Sequence, residues 1–181
     1  GAFQTVASDD PNMRKDGYKL ENVFAPPISI GMLINHFGME HQRIMMKYRH
    51  MASIEVAIRD QPEGGQINVD KKGNLVITKT LTEQDLGRVE KGIDTLCNVF
   101  TAAGAKEVVR SPFSFGLHLM GGCSIGVDAE KSVVSPDFQV HGYENIYIAD
   151  SSIFPSAPGI NPSLTIMSLS QKLSEELVKN N

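Results

Sequence analysis

Three side chains stand out for the chemistry they could do together: His118, Asp150 and Asn161, which fall within a stretch of 44 residues. His118 lies among Gly116, Gly121, Gly122 and Gly126, where bare backbone lets a planar ligand approach closely. Histidine is the natural base near neutral pH. The structural alternative is a loop histidine bonded to a backbone carbonyl. Asp150 ends the apolar run N-I-Y-I-A-D. In open α/β sheets ligands bind beyond the carboxyl ends of strands, and a carboxylate there can accept hydrogen bonds from sugar-like hydroxyls. Its alternative is a cap or turn. Asn161, in G-I-N-P-S-L-T, marks a helix start whose partial positive charge stabilises negative charge developing on a bound group. Its alternative is a plain N-cap.

Other reactive side chains read as structural. His36, His41 and His50 lie near a helical segment, and His36 and His41 are five apart without acidic partners placed for a metal. His141 precedes Gly142 in a turn. Cys97 and Cys123 lie 26 apart without metal-ligand spacing, so free thiols are expected, Cys123 packed. Met32, Met39, Met45, Met46 and Met51 read as core filler.

The elements that must position these groups follow from patterning. Residues 8–17 are polar and read as a surface connection, and Pro26-Pro27 bars a regular element across that point. Apolar positions from Met32 to Tyr48, interrupted by Gly38, predict one or two short helices. Met51–Arg59 alternates and predicts a strand with one buried face. Residues 66–69 and 75–79, joined by D-K-K-G-N, predict a hairpin. Thr82 with Asp85 three residues on is a capping-box variant. It opens a helix carrying Leu86, Val89, Ile93, Leu96, Cys97 and Phe100, closed by Gly104. Further strands are predicted at Lys106–Arg110, Ser132–Gln139 and Asn145–Ala149. A final helix begins with Asn161 as cap and Pro162 in its first position, with Leu164, Met167, Ser170, Leu173 and Leu177 near one face.

The fold class is therefore α+β: an antiparallel sheet with helices over residues 1–110, then a glycine-rich loop and closing strand–helix segment over 111–181. A lone strand and helix cannot bury both faces, so this last part reads as the closing piece of a larger α/β domain. At 181 residues and 41% hydrophobic content the chain can bury a core, and its formal charge of −4 with 21% charged residues argues against a nucleic-acid surface. No apolar run approaches the roughly 20 residues that span a bilayer. The first residues lack the charged and apolar regions of a signal peptide, and a cytoplasmic location is favoured.

Taken in order, H-L-M-G-G-C-S-I-G, V-V-S-P-D-F-Q-V-H-G, N-I-Y-I-A-D-S-S-I-F-P and G-I-N-P-S-L-T-I-M-S-L-S resemble the C-terminal signature of the glucose–methanol–choline (GMC) oxidoreductases. The match is to the branch with an Asn-Pro pair, as in cholesterol oxidases. The resemblance implies FAD-dependent oxidation of an alcohol, with hydride passing from the substrate carbon to the flavin. His118 would accept the hydroxyl proton, and Asn161 would orient the substrate oxygen or contact the flavin. Asp150, with Ser151 nearby, would bind the ribityl or phosphate side of FAD. Pro162 and the first turn it opens, Thr165 included, would face the flavin ring. Residues 1–110 resemble the family's substrate domain.

One departure matters. The family holds the FAD pyrophosphate with G-x-G-x-x-G after its first strand, and this chain has no such motif. The chain is therefore expected to be a C-terminal fragment with negligible FAD affinity and no turnover alone, its partner being the missing N-terminal FAD-binding half. Its final helix should expose apolar surface, making a homodimer the expectation. The alternative is a non-catalytic ligand- or partner-binding module derived from this fold.

Overall fold

Asp10 accepts the Asn12 N–H at 2.7 Å, and Pro11 occupies the first turn. In the computed structural model, which describes residues 6–179, the polar stretch therefore contains a short helix, Pro11–Asp16 (α1), instead of a bare connection. Gly17, at φ 83°, ends it. The chain divides into two units: the described residues up to Ile58 with Leu86–Phe115, and Arg59–Asp85 with Gly116 onward.

In the first unit, Tyr18–Asn22 (β1) pairs antiparallel with Ile54–Ile58 (β2), Tyr18 facing Ile58 and Asn22 facing Ile54. Between them lie the helices Pro27–Leu33 (α2) and Gly38–Met45 (α3) and a single tight turn at Tyr48–His50. Ile30 and Ile44 are buried. Met32, Met39 and Met46 are 74, 82 and 80% exposed, so these three are not core filler: each helix buries one narrow stripe, and three methionines fall off it. Lys106–Arg110 is not a strand. Its Glu107 carboxylate is held by Arg43 and Lys47, each at 2.5 Å, and side-chain ties replace a ladder.

In the second unit, Gly65–Val69 (β3) and Leu75–Lys79 (β4) form the predicted hairpin. Asp70 builds its turn by accepting from the backbone of Lys72 and Asn74 at 2.8 Å each and from the Asn74 side chain at 2.9 Å, with Gly73 at φ 82°. The capping box is present. The Asp85 N–H donates to the Thr82 hydroxyl at 3.1 Å, and the Asp85 carboxylate accepts the Thr82 N–H at 3.0 Å. It opens Glu83–Ala102 (α4), whose later turns pack in the first unit, Tyr18 hydroxyl against Thr95 hydroxyl at 2.9 Å.

The core of the second unit is Val134, Phe138, Ile153 and Phe154, with Ile125, Val140, Ile148, Ile166, Leu169 and Leu173 packed on it. Ser132–Gln139 and Asn145–Ala149 are not continuous strands. They contribute isolated bridges, Ile125 to Val134, Val134 to Val140 and Gln139 to Tyr147. Ser135–Phe138 turns, with the Phe138 N–H on the Ser135 carbonyl at 2.9 Å and Phe138 itself at φ 66°, and Pro136 has no N–H to give a ladder. The final helix is Ser163–Lys179 (α5). Its first intrahelical bond runs from the Ile166 N–H to the Pro162 carbonyl at 2.9 Å, so Pro162 stands just before the helix and not inside it. The buried face is Ile166, Leu169, Ser170 and Leu173, whereas Leu164 and Met167 are 73 and 59% exposed. The Ser170 hydroxyl on this face donates to the Ala149 carbonyl at 2.8 Å. No described helix is long and apolar enough to cross a membrane.

Candidate active site

The loop carrying His118 has no helix or strand of its own, and His118 is exposed. What locates it is a run of backbone bonds to the single 3₁₀ turn Ser151–Ile153. The N–H groups of Gly121, Cys123 and Ile125 donate to the carbonyls of Ser151, Ser152 and Ile153 at 3.1, 2.9 and 2.9 Å. The Ser151 hydroxyl donates to the Leu119 carbonyl at 2.9 Å. Gly121 and Gly122 sit at φ 86° and 102°, a conformation costly for any residue with a Cβ. The turn itself is pinned by Ile153 and Phe154 in the core.

Asp150 caps this turn, accepting the Ser152 N–H at 2.8 Å and the Ser152 hydroxyl at 2.5 Å through one oxygen. The Ser152 hydroxyl first, and its N–H second, hold the Asp150 carboxyl below the usual carboxylate range. The group is thus an anion near neutral pH. It borders an open cleft lined also by Tyr147, Ile148, Ser152, Ser170 and Leu173.

Asn161, Pro162 and Thr165 lie at the start of α5, Pro162 buried and the other two exposed. The connection entering this helix start is held by Arg59, whose Nε donates to the Ala157 carbonyl at 3.0 Å. Gly159, at φ 78°, brings its backbone against the same side chain, so that a Cβ there would lie 3.6 Å from Arg59 Cδ. The structure thus ties the loop that follows His118 to the turn carrying Asp150 and Ser151, and holds the connection leading to Asn161, Pro162 and Thr165 at Ala157 through Arg59. Sequence reading missed Ser152, which D-S-S could have flagged as an Asx turn, and Arg59, which no local signal marks.

His141 is structural. Its Nε2 lies 3.1 Å from both the Gly126 carbonyl and the Ser132 hydroxyl, and that hydroxyl donates to the Asp128 carbonyl at 2.6 Å. The serine proton is therefore spent on backbone and is not shared with the imidazole. Cys97 and Cys123 are free thiols, and Cys123 packs on the core.

A family model described as GMC oxidoreductase matches residues 63–170. The chain is 30% identical over 190 residues to the 6'''-hydroxyparomomycin C oxidase of Streptomyces lividus, covering 99% of this chain and 33% of that protein. It is 27% identical over 158 residues to a long-chain-alcohol oxidase of Arabidopsis thaliana, 69% of this chain and 21% of that one. A cholesterol oxidase of Acinetobacter baumannii is 41% identical over 85 residues, 41% of this chain and 15% of the other. In fold, the chain resembles pyridoxine 4-oxidase from Mesorbium loti, with TM-score 0.63 and 14% identity, over 88% of this chain and 34% of that one. The chain thus spans about a third or less of these proteins' lengths. The family match covers more than half of the chain and contains the His118 loop, the Asp150 turn and the start of α5 together: the chain belongs to the GMC oxidoreductase family.

Proposed function

We propose that this chain is the C-terminal, catalytic part of an FAD-dependent enzyme that oxidises the CH–OH group of an alcohol. The observation that carries the reading is the bonded turn at 150–153, which holds an exposed histidine loop and an ionised carboxylate on one scaffold. An ionised carboxylate at the edge of this cleft fits the hydroxyls of the ribityl side of FAD. When bound, FAD supplies the acceptor for the substrate's hydride. The chain's own residues do the rest. His118 takes the proton from the substrate hydroxyl, Asn161 orients the substrate oxygen, and Asp150 beside Ser151 accepts hydrogen bonds from the cofactor's sugar-like arm. Pro162 and Thr165, at the positive end of α5, face the flavin ring, where the helix dipole favours negative charge. Residues 1–110 form the substrate side and 111–181 the cofactor side. The pyrophosphate grip comes from a segment outside these residues, so the 181 residues alone hold FAD negligibly and self-associate through uncovered apolar surface. Long-chain-alcohol and cholesterol oxidases among the relatives support a small-molecule alcohol as substrate.

The test is anaerobic flavin reduction by an alcohol in the full-length enzyme. His118→Ala is expected to slow it by about 10² to 10⁴ while FAD stays bound. A variant that reduces its flavin as fast as the wild type removes His118 from the reaction.

A further inference from the structure

We propose that Ser151 is a positioning residue that couples the cofactor-side carboxylate of Asp150 to the loop bearing His118. The inference rests on the function proposed above. Ser151 holds that loop twice, its hydroxyl donating to the Leu119 carbonyl at 2.9 Å and its carbonyl accepting the Gly121 N–H at 3.1 Å. The two bonds bracket Met120. Among the described residues, Leu119 is the hydrogen-bonded position nearest to His118 in the chain. Packing holds the loop only at Met120, which rests on the core, whereas Leu117 and Leu119 on either side of His118 are 66 and 75% exposed. The other side of the clasp is rigid. Ser151 opens a turn capped by Asp150 and anchored by Ile153, which is fully buried.

The hydroxyl has one proton, and here it goes to a backbone carbonyl. Ser151 therefore has no second proton to give to a cofactor oxygen and can offer only lone pairs. Its contribution reaches the reaction through His118: Asp150 engages the cofactor, the next residue holds the base loop, and the spacing between them is set within one turn. A misplaced base costs rate without costing cofactor affinity.

The test compares wild type, Ser151→Ala and Ser151→Thr in the full-length enzyme. Three quantities are read: anaerobic flavin reduction, the dissociation constant for FAD, and hydrogen exchange of a peptide spanning Leu119–Gly121. Ser151→Ala is expected to reduce its flavin about tenfold more slowly, with faster exchange in that peptide and unchanged FAD affinity. Threonine, which keeps the hydroxyl, restores both. Reduction at the wild-type rate overturns the proposal. So does a loss of FAD affinity as large as the loss of rate, which would make Ser151 a direct cofactor donor, or an alanine-like threonine variant. A wild-type enzyme that takes up no flavin instead overturns the proposed function, and this inference with it, whatever the exchange rates do.

Discussion

At position 150 one carboxylate oxygen accepts both the hydroxyl and the N–H of Ser152, while position 151 sends its hydroxyl the other way, to Leu119. Adjacent residues of similar polarity thus serve different partners, one facing a ligand cleft and one facing the chain. Because Ser152 lowers the folded-state pKa of Asp150, this bond contributes to stability above the ordinary carboxylate range and loses that contribution as pH falls through the folded value. Ser152→Ala removes the larger of the two causes. The Asp150 carboxyl is then expected to titrate closer to the ordinary range, as followed by carbon NMR of the side chain. An unchanged titration would contradict the assignment of the shift to Ser152.

Among the elements, α4 depends on a glycine. A Cβ at Gly92 would lie 2.3 Å from Val56 Cγ1 and 3.2 Å from Tyr18 Cδ2, so the helix meets β1 and β2 more closely than any side chain allows. Val56 is β-branched and stiff, so relief must come from moving the helix. Gly92→Ala is expected to destabilise the fold by about 1 to 3 kcal/mol, read by denaturant unfolding, despite alanine's better helix propensity. The segment after α4 depends instead on charge. Arg43 first and Lys47 second push the Glu107 carboxyl down to about 2. A depressed carboxylate stabilises above its unfolded pKa and loses that stabilisation as pH falls from about 4.5 toward about 2. Glu107→Gln should flatten the acid limb of stability across that window. The pair network is solvent-exposed, so the effect should also shrink in high salt.

At the scale of the whole molecule, several large apolar side chains are exposed. Phe24, Ile28, Phe37, Met39 and Met46 in one unit, and Leu164, Met167 and Val178 on α5 in the other, all stand well out into solvent. The 181-residue chain is expected to exceed its 19.8 kDa monomer mass in light scattering as concentration rises. A clean monomer at every concentration would count against that. The same preparation should carry no flavin absorbance, and a stoichiometric flavin spectrum would refute the division of cofactor grip between this chain and another segment.

Sequence alone determined what short-range chemistry controls. D-K-K-G-N closes a hairpin through bonds from Asp70 to residues at most four away, and Thr82 and Asp85 cap α4 across three. The four ordered motifs identified the family before any geometry was known. Tertiary structure decided what depends on distant partners. Lys106–Arg110 has strand-like composition but pairs by ion contacts, and Ser132–Gln139 folds around its own turn. The packed face of α5 followed from the core that Ile166, Leu169 and Leu173 meet and from a hydroxyl reaching Ala149, which periodicity could not locate. Arg59 meets Ala157 across 98 residues and Ser151 meets Leu119 across 32. A hydrogen bond over such separations leaves no trace in local pattern, because its geometry exists only after the core has brought the two stretches together. His118, Asp150 and Asn161 were legible as side chains; what holds their backbones in place was not.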